Sequence, residues 1–248
     1  MKSKEQASST PAHEADFAPS MTKLQEWDPD WADKYLKVVT NPWTNGILPV
    51  KDIELFCIGI TAACTNLDEA GARRHIRAAL KAGATQTEIL IILKGAAMLS
   101  IHSCSLGAPI LLEEGKAAGA KLANQGKGKP TPFCDKFREK GMWNTAWDPF
   151  FEVDPVWTDQ FFSTAASIYS GGVFTPKFIE LLSIAIDASV THMYAPGTRR
   201  HIKSALKAGA SIEEIMEVLK VCVSVGAETC HLAVPILAEE LERIEKEA

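Results

Sequence analysis

The chain has 248 residues, 26 Lys+Arg against 31 Asp+Glu for a net charge of −5, and 46% hydrophobic residues. That acidic balance speaks against a nucleic-acid surface, the apolar share speaks against a disordered chain, and the length can bury a full core. The first twenty residues lack the apolar run of a signal peptide, and the most apolar stretch, 89–112, is interrupted by Lys94, His102 and Pro109, so no membrane span is expected and six reduced cysteines in the cytoplasm are.

Taken in chain order, residues 1–24 form a polar Ser/Lys/Glu/Ala tail expected to be disordered, and residues 25–115 a first module. Residues 116–150 are a linker with a flexible centre (GAKLANQGKGKPTP), and 151–248 a second module. The two modules are copies. Arg73–Ile89, RRHIRAALKAGATQTEI, recurs as RRHIKSALKAGASIEEI at Arg199–Ile215, an offset of 201 − 75 = 126, and 35 of the 87 positions from 28 to 114 are identical at that offset without a gap. A period of this size exceeds solenoid repeats and marks a tandem duplication.

Each copy reads as helices. Asp28-Pro29 starts the first, with Trp31, Tyr35, Leu36, Val38 and Val39 at helical spacing. Pro49 precedes a second, Lys51 to about Cys64, with Ile53, Phe56, Cys57 and Ile60 on its apolar side. A third runs from about Ala70 to Ala82 and closes at Gly83, where a left-handed residue is needed. Thr85-x-x-Glu88 and Ser211-x-x-Glu214 are capping boxes that open a fourth helix, apolar almost all round and therefore expected to be the most buried. Pro109 and Pro235 leave the carbonyls of Ser105 and His231 without a donor, which predicts a kink or break at 102–105 and 228–231. Neither copy alternates as a strand would. The expected class is all-α.

The residues that could carry chemistry lie on these helices. His75 and His201 sit about 8 Å inside the third helix of each copy, beside its apolar face, where an imidazole can act as acid or base or can simply be a bonded core histidine. Arg73, Arg74, Arg199 and Arg200 can clamp a substrate carboxylate; adjacent arginines point about 100° apart, so at most one of each pair faces the histidine's site. Glu54 and Glu180 open an otherwise apolar helix and suit either a proton relay or a favourable charge in the first turn. With a hairpin turning near residue 67, Glu54 is expected opposite residue 80, roughly 10 Å along the axis from His75. His102-x-Cys104 and Cys230-His231 lack the further ligands of a zinc site, so no metal is expected. The sequence holds no phosphate loop, dinucleotide fingerprint or nucleophile elbow.

Glu54-Leu55, then His75-Ile-Arg-Ala-Ala-Leu-Lys-Ala-Gly-Ala-Thr-x-x-Glu88-Ile, resembles the carboxymuconolactone decarboxylase family, whose superfamily also holds the alkylhydroperoxidase D-like proteins. Glu180-Leu181 and His201 through Ile215 match equally, and Gly107-Ala-Pro109 is similar to the family's Gly-x-Pro, with Ala233 replacing that glycine in the second copy. The resemblance implies a tandem pair of alkylhydroperoxidase D-like helical modules. It also implies homo-oligomers, a trimer of fused pairs being the expected form, and a role in aromatic compound catabolism. The peroxidase branch carries Cys-x-x-Cys before the helical histidine, where this chain has Thr65–Glu69 and Thr191–Ala195, so thiol peroxidase activity, which would fall to Cys104 or Cys230, is the lesser alternative, beside non-catalytic ligand binding.

The lactone-decarboxylase branch, which needs no metal or cofactor, implies His75 and His201 as the helical histidines and Glu54 and Glu180 as the acidic partners. The expected activity is a lyase on a small carboxylated lactone or enol acid. Loss of carbon dioxide leaves an enolate that needs hydrogen-bond donors and a returned proton. The copies differ. His102 stands where the second has Glu228, Ser105 where it has His231, and Asn66-Leu67-Asp68 where it has His192-Met193-Tyr194. One competent and one degenerate pocket are therefore expected, the second copy being richer through His192, Tyr194, His201, Glu228 and His231.

Overall fold

The computed structural model describes residues 12–123 and 126–248, with side chains from Ser20 onward. Among these the regular elements are helices: α1 (Ala12–Trp27), α2 (Pro29–Val39), α3 (Asn41–Thr44), α4 (Val50–Thr61), α5 (Glu69–Lys81), α6 (Gln86–Met98), α7 (His102–Ala117), α8 (Pro132–Glu139), α9 (Asp148–Val153), α10 (Pro155–Ile168), α11 (Pro176–Ala188), α12 (Ala195–Lys207), α13 (Ile212–Ser224) and α14 (Ala227–Glu247). The fold is all-α, and α2 and α4–α7 recur as α10–α14.

The local signals act as their chemistry dictates. Asp28 and Asp154 each precede a proline at the first helical position and accept from the N–H of Trp31 at 3.2 Å and Trp157 at 3.0 Å. Glu88 and Thr85 cap each other reciprocally, as do Glu214 and Ser211. Gly83 and Gly209, at φ +90° and +88°, end α5 and α12.

The chain divides into two compact units, residues 1–92 with 175–248 and residues 93–174. In the first, the hairpins α4–α5 and α11–α12 pack together through α4 and α11. Gly59 permits that crossing, since a Cβ there would lie 3.0 Å from Leu182 Cδ1. Phe56 meets Phe178 with ring centroids 5.1 Å apart. The most buried helix is α4, every residue from Ile53 to Thr61 being buried, and not the fourth helix of the copy as its composition suggested. The reason is position: α5, α11 and α13 all pack on α4, whereas α6 leaves Leu90 exposed.

The expected disordered tail is in part a helix. α1 packs on α14 and α2, with Ser20 and Met21 buried and Met21 in a core with Val39 and Ala227. Met21 and Leu24 lie three apart and provide an apolar edge that the average composition of 1–24 conceals; residues 1–11 lie outside the described residues.

In the second unit the expected linker carries α8 and α9. Ala108, Cys134, Phe150 and Phe162 form a core, packed by Phe133, Phe137, Trp143 and Trp147. Asp159 accepts from the N–H groups of Phe133 and Cys134, both at 2.8 Å, and the Arg138 guanidinium lies 3.9 Å from the Trp143 ring centre. This aromatic density supplies a core that the glycines and lysines of the segment masked.

Neither proline breaks its helix. α7 runs through Pro109 and α14 through Pro235, and the interruptions fall earlier, at the 3-10 turn Leu99–Ile101 and at Val225–Gly226. A helix interior can absorb one lost bond by bending. His102 and Glu228 thereby become first-turn residues of new helices rather than residues of a kink. The helical stretches 86–117 and 212–247 are long and apolar enough, by length and composition, to cross a membrane. In the second of them α13 puts Ile215, Val218 and Val221 into the protein core.

Candidate functional site

The hairpin geometry follows from one backbone bond. Asp68 N–H donates to Thr61 O at 2.9 Å, which sets residues 61 and 68 level across the α4–α5 connection. Glu54 lies 61 − 54 = 7 residues below one and His75 lies 75 − 68 = 7 residues beyond the other. Seven residues are about two turns, so both side chains return to the facing surfaces about 10 Å down the hairpin. Glu54 Oε2 is 2.7 Å from His75 Nδ1. The second hairpin repeats this: Tyr194 N–H donates to Asp187 O at 2.8 Å, and Glu180 Oε2 lies 2.6 Å from His201 Nδ1. The expectation that Glu54 faces residue 80 is therefore corrected. It treated residues 62–68 as continuing along the axis, whereas the connection crosses it.

The two dyads have different surroundings. At His75, the Trp43 indole N–H donates to Glu54 Oε1 at 2.6 Å, so both oxygens of this buried carboxylate are engaged. Trp43 sits on the short α3, whose neighbours Asn41 and Asn45 bind the second copy. Asn45 Nδ2 donates to the buried Glu217 at 2.6 Å, and Lys220 Nζ donates to Asn41 at 3.0 Å and Glu217 at 3.1 Å. Glu217 aligns with Ile91 and Asn45 with Gly171, so sequence alignment gives this clamp no counterpart in the other copy.

Helix α14 closes the His75 site. Arg74 Nη2 donates to Glu228 Oε2, and His231 Nδ1 lies 2.6 Å from Ser20 Oγ on α1. Burial, then the Arg74 charge, lowers the His231 pKa, against an upward pull from Glu228. Burial, with Cys230 and Glu228 nearby, raises that of Tyr35. Glu228 and His231, expected to enrich the second copy's pocket, thus stand at His75. The last helix of the second copy thus caps the hairpin of the first, an arrangement that linear order hides.

At His201 the imidazole is bonded on both sides. Arg200 Nη2 lies 3.0 Å from Nε2. Guanidinium only donates, so Nε2 accepts and Nδ1 carries the proton given to Glu180. Asp187 Oδ2 is 3.8 Å from the same Nε2, and burial raises the Asp187 pKa to about 6 against the downward pull of His201 and Arg200. Gly197 leaves that carboxylate its space, since a Cβ there would lie 1.9 Å from Oδ2. The His201 side chain is 20% exposed against 10% for His75, so His201 is the more accessible.

Arg73 and Arg199 turn away from the imidazoles. Arg73 pairs with Glu69 at 2.7 Å, and Arg199 lines a cavity of about 470 Å³ with Ala188, Met193, Ala195, Thr198 and Ile202. His192 and Tyr194 lie together before α12 with ring centroids 5.8 Å apart, and burial lowers the His192 pKa. His102 opens α7, which belongs to the other compact unit. Burial raises the Cys230 thiol, which disfavours the reactive thiolate.

Sequence reading missed Asp187, Trp43 and Ser20. Asp187 had a signal, being an acid seven residues after Glu180 in an apolar helix where the first copy has Thr61. Trp43 was legible only as a packing anchor, and Ser20 had no signal.

A paired helical hairpin with a carboxylate–imidazole dyad in each copy, Glu54–His75 buried and Glu180–His201 half-buried, defines the class: a duplicated all-α protein with two candidate acid–base sites. The sequence profile of the carboxymuconolactone decarboxylase family matches residues 29–100 and 155–239, and the chain belongs to that family. A similar solved structure is that of a candidate gamma-carboxymuconolactone decarboxylase subunit from Burkholderia xenovorans LB400. It is 31% identical with a TM-score of 0.83, covering 91% of this chain and 92% of that one. Among the curated proteins none matches this chain.

Proposed function

We propose that the protein is a carbon–carbon lyase acting on a small carboxylated lactone or enol acid, with His201 as acid and base. The observation that carries this reading is the Arg200–His201–Glu180 line, in which Arg200 rests on the imidazole and meets no carboxylate at ion-pair distance among the described residues, though its charge is felt by Asp187. A substrate carboxylate is a stronger acceptor for guanidinium than neutral imidazole is. Its arrival draws Arg200 away from Nε2 and leaves that nitrogen facing the substrate, its ring still held by Glu180.

The electron pair of the breaking carbon–carboxylate bond passes into the ring as an enolate on the lactone oxygen, and carbon dioxide departs. The protonated Asp187 carboxyl, 3.8 Å away, gives its proton to the Nε2 that Arg200 has vacated, the resulting imidazolium returns a proton to carbon, and Asp187 regains its own from solvent. His75, with Glu54, offers the same dyad in the first copy.

The test is release of carbon dioxide from a panel of carboxylated lactones followed by mass spectrometry. His201→Ala is expected to lower kcat by roughly 10²–10³-fold, the usual range for a general acid–base residue. Arg200→Gln is expected chiefly to raise KM. Folded His201→Ala protein with unchanged turnover of every substrate removes this reading.

A further inference from the structure

The two copies place the same Arg-His pair in the same register, yet the arginines do different things. Arg200 rests on His201 Nε2 and meets no carboxylate at ion-pair distance among the described residues. Arg74 has left its histidine for Glu228, and His75 Nε2 makes no hydrogen bond to a described residue. One side chain separates the two states. Glu228 comes from α14, which is fixed in place by Ser224 Oγ on Val39 O at 2.8 Å just before it, and by His231 on Ser20 within it. Its first-copy counterpart in sequence is His102, which brings no negative charge to an arginine.

We propose that Glu228 is a built-in carboxylate occupying the ligand position of the His75 site, so that the first copy holds a latent binding site for a small carboxylate. The ligand class rests on the reading of Arg200 given above; the latency rests on Arg74 and Glu228 alone. The His75 site is otherwise complete. Its dyad is better secured than that of His201, since Trp43 holds the second oxygen of Glu54, and the guanidinium already carries a carboxylate where a ligand's would lie. An external carboxylate has to compete with one tethered at high effective concentration, and the intact protein binds at His201 only.

Titration calorimetry on the full chain tests this, with the saturated lactone acid 5-oxotetrahydrofuran-2-carboxylate as probe. The intact protein is expected to bind one probe per chain, with at least tenfold weaker binding in Arg200→Gln. Glu228→Gln is expected to bind two, the second lost in the Arg74→Gln/Glu228→Gln double variant. Should Glu228→Gln not fold, Glu228→Asp keeps the charge and withdraws it by one methylene, and is expected to admit a weaker second probe.

Two outcomes overturn the proposal: an intact protein already binding a second, Arg74-dependent probe, or folded Glu228 variants that gain none. An intact protein that binds nothing, with one Arg74-dependent probe bound by Glu228→Gln, removes the Arg200 reading and upholds this one.

Discussion

Asp187 is a titrating acid that the His201 site has and the His75 site lacks. It stands where the first copy has Thr61, and burial lifts its pKa from 3.8 to about 6. The folded protein therefore holds this proton more tightly than the unfolded chain does. Below about pH 4 the carboxyl is protonated in both states and costs nothing. Stability is lost as pH rises from there through 6, and the full cost, on the order of 3 kcal/mol, stands above it. Asp187→Asn is expected to match the parent at pH 4 and to be more stable by about 1–3 kcal/mol at pH 8 in urea unfolding. A stability difference independent of pH would remove the buried charge as its cause. In turnover, the parent's rate should fall as pH rises past 6, where Asp187 no longer holds a proton to resupply His201, and the variant should lack that limb.

At the scale of elements, the helices were legible because their ends carry local chemistry: Asp28-Pro29, Gly83 and the Thr85/Glu88 box act within a few residues of themselves. Which residues meet was less so, because it depends on how a connection runs. The bond from Asp68 to Thr61 that levels the hairpin is made by backbone groups any sequence has, and it decided whether Glu54 faced His75. The pairing of Arg74 with Glu228 spans 154 residues and leaves no mark in either segment.

The short α3 shows what such contacts hold. Its Trp43 supplies one of the two bonds to the buried Glu54 carboxylate. Trp43→Phe keeps most of the ring and leaves Glu54 Oε1 unsatisfied. It is expected to cost about 1–3 kcal/mol in urea unfolding, the usual penalty for orphaning a buried acceptor. A variant as stable as the parent would mean that water takes the indole's place.

At the scale of the whole molecule, the duplication copied a surface as well as a site. Leu106, Ile110 and Leu111 on α7 align with Leu232, Ile236 and Leu237 on α14, identical at all three positions. All six are exposed, Leu106 and Leu232 at 68% and 69%. On α14 the stripe continues through Leu241 and Ile244, at helical spacing along one side. Isolated apolar side chains on a surface are ordinary, but a repeated stripe is the kind of surface that association buries, and we propose that these stripes pair between chains. A chain with two like stripes can bind two neighbours and close a ring, and a second copy of this chain is the partner that always carries the matching face. The expected assembly is a trimer, with six stripes paired and a mass near three times 27.0 kDa in sedimentation. Leu106→Glu and Leu232→Glu each place a charge in one stripe only. Each should open the ring and lower the mass, while the helical spectrum and carboxylate binding at Arg200 persist. A parent that sediments at 27.0 kDa throughout the micromolar range would show that the stripes do not pair between chains.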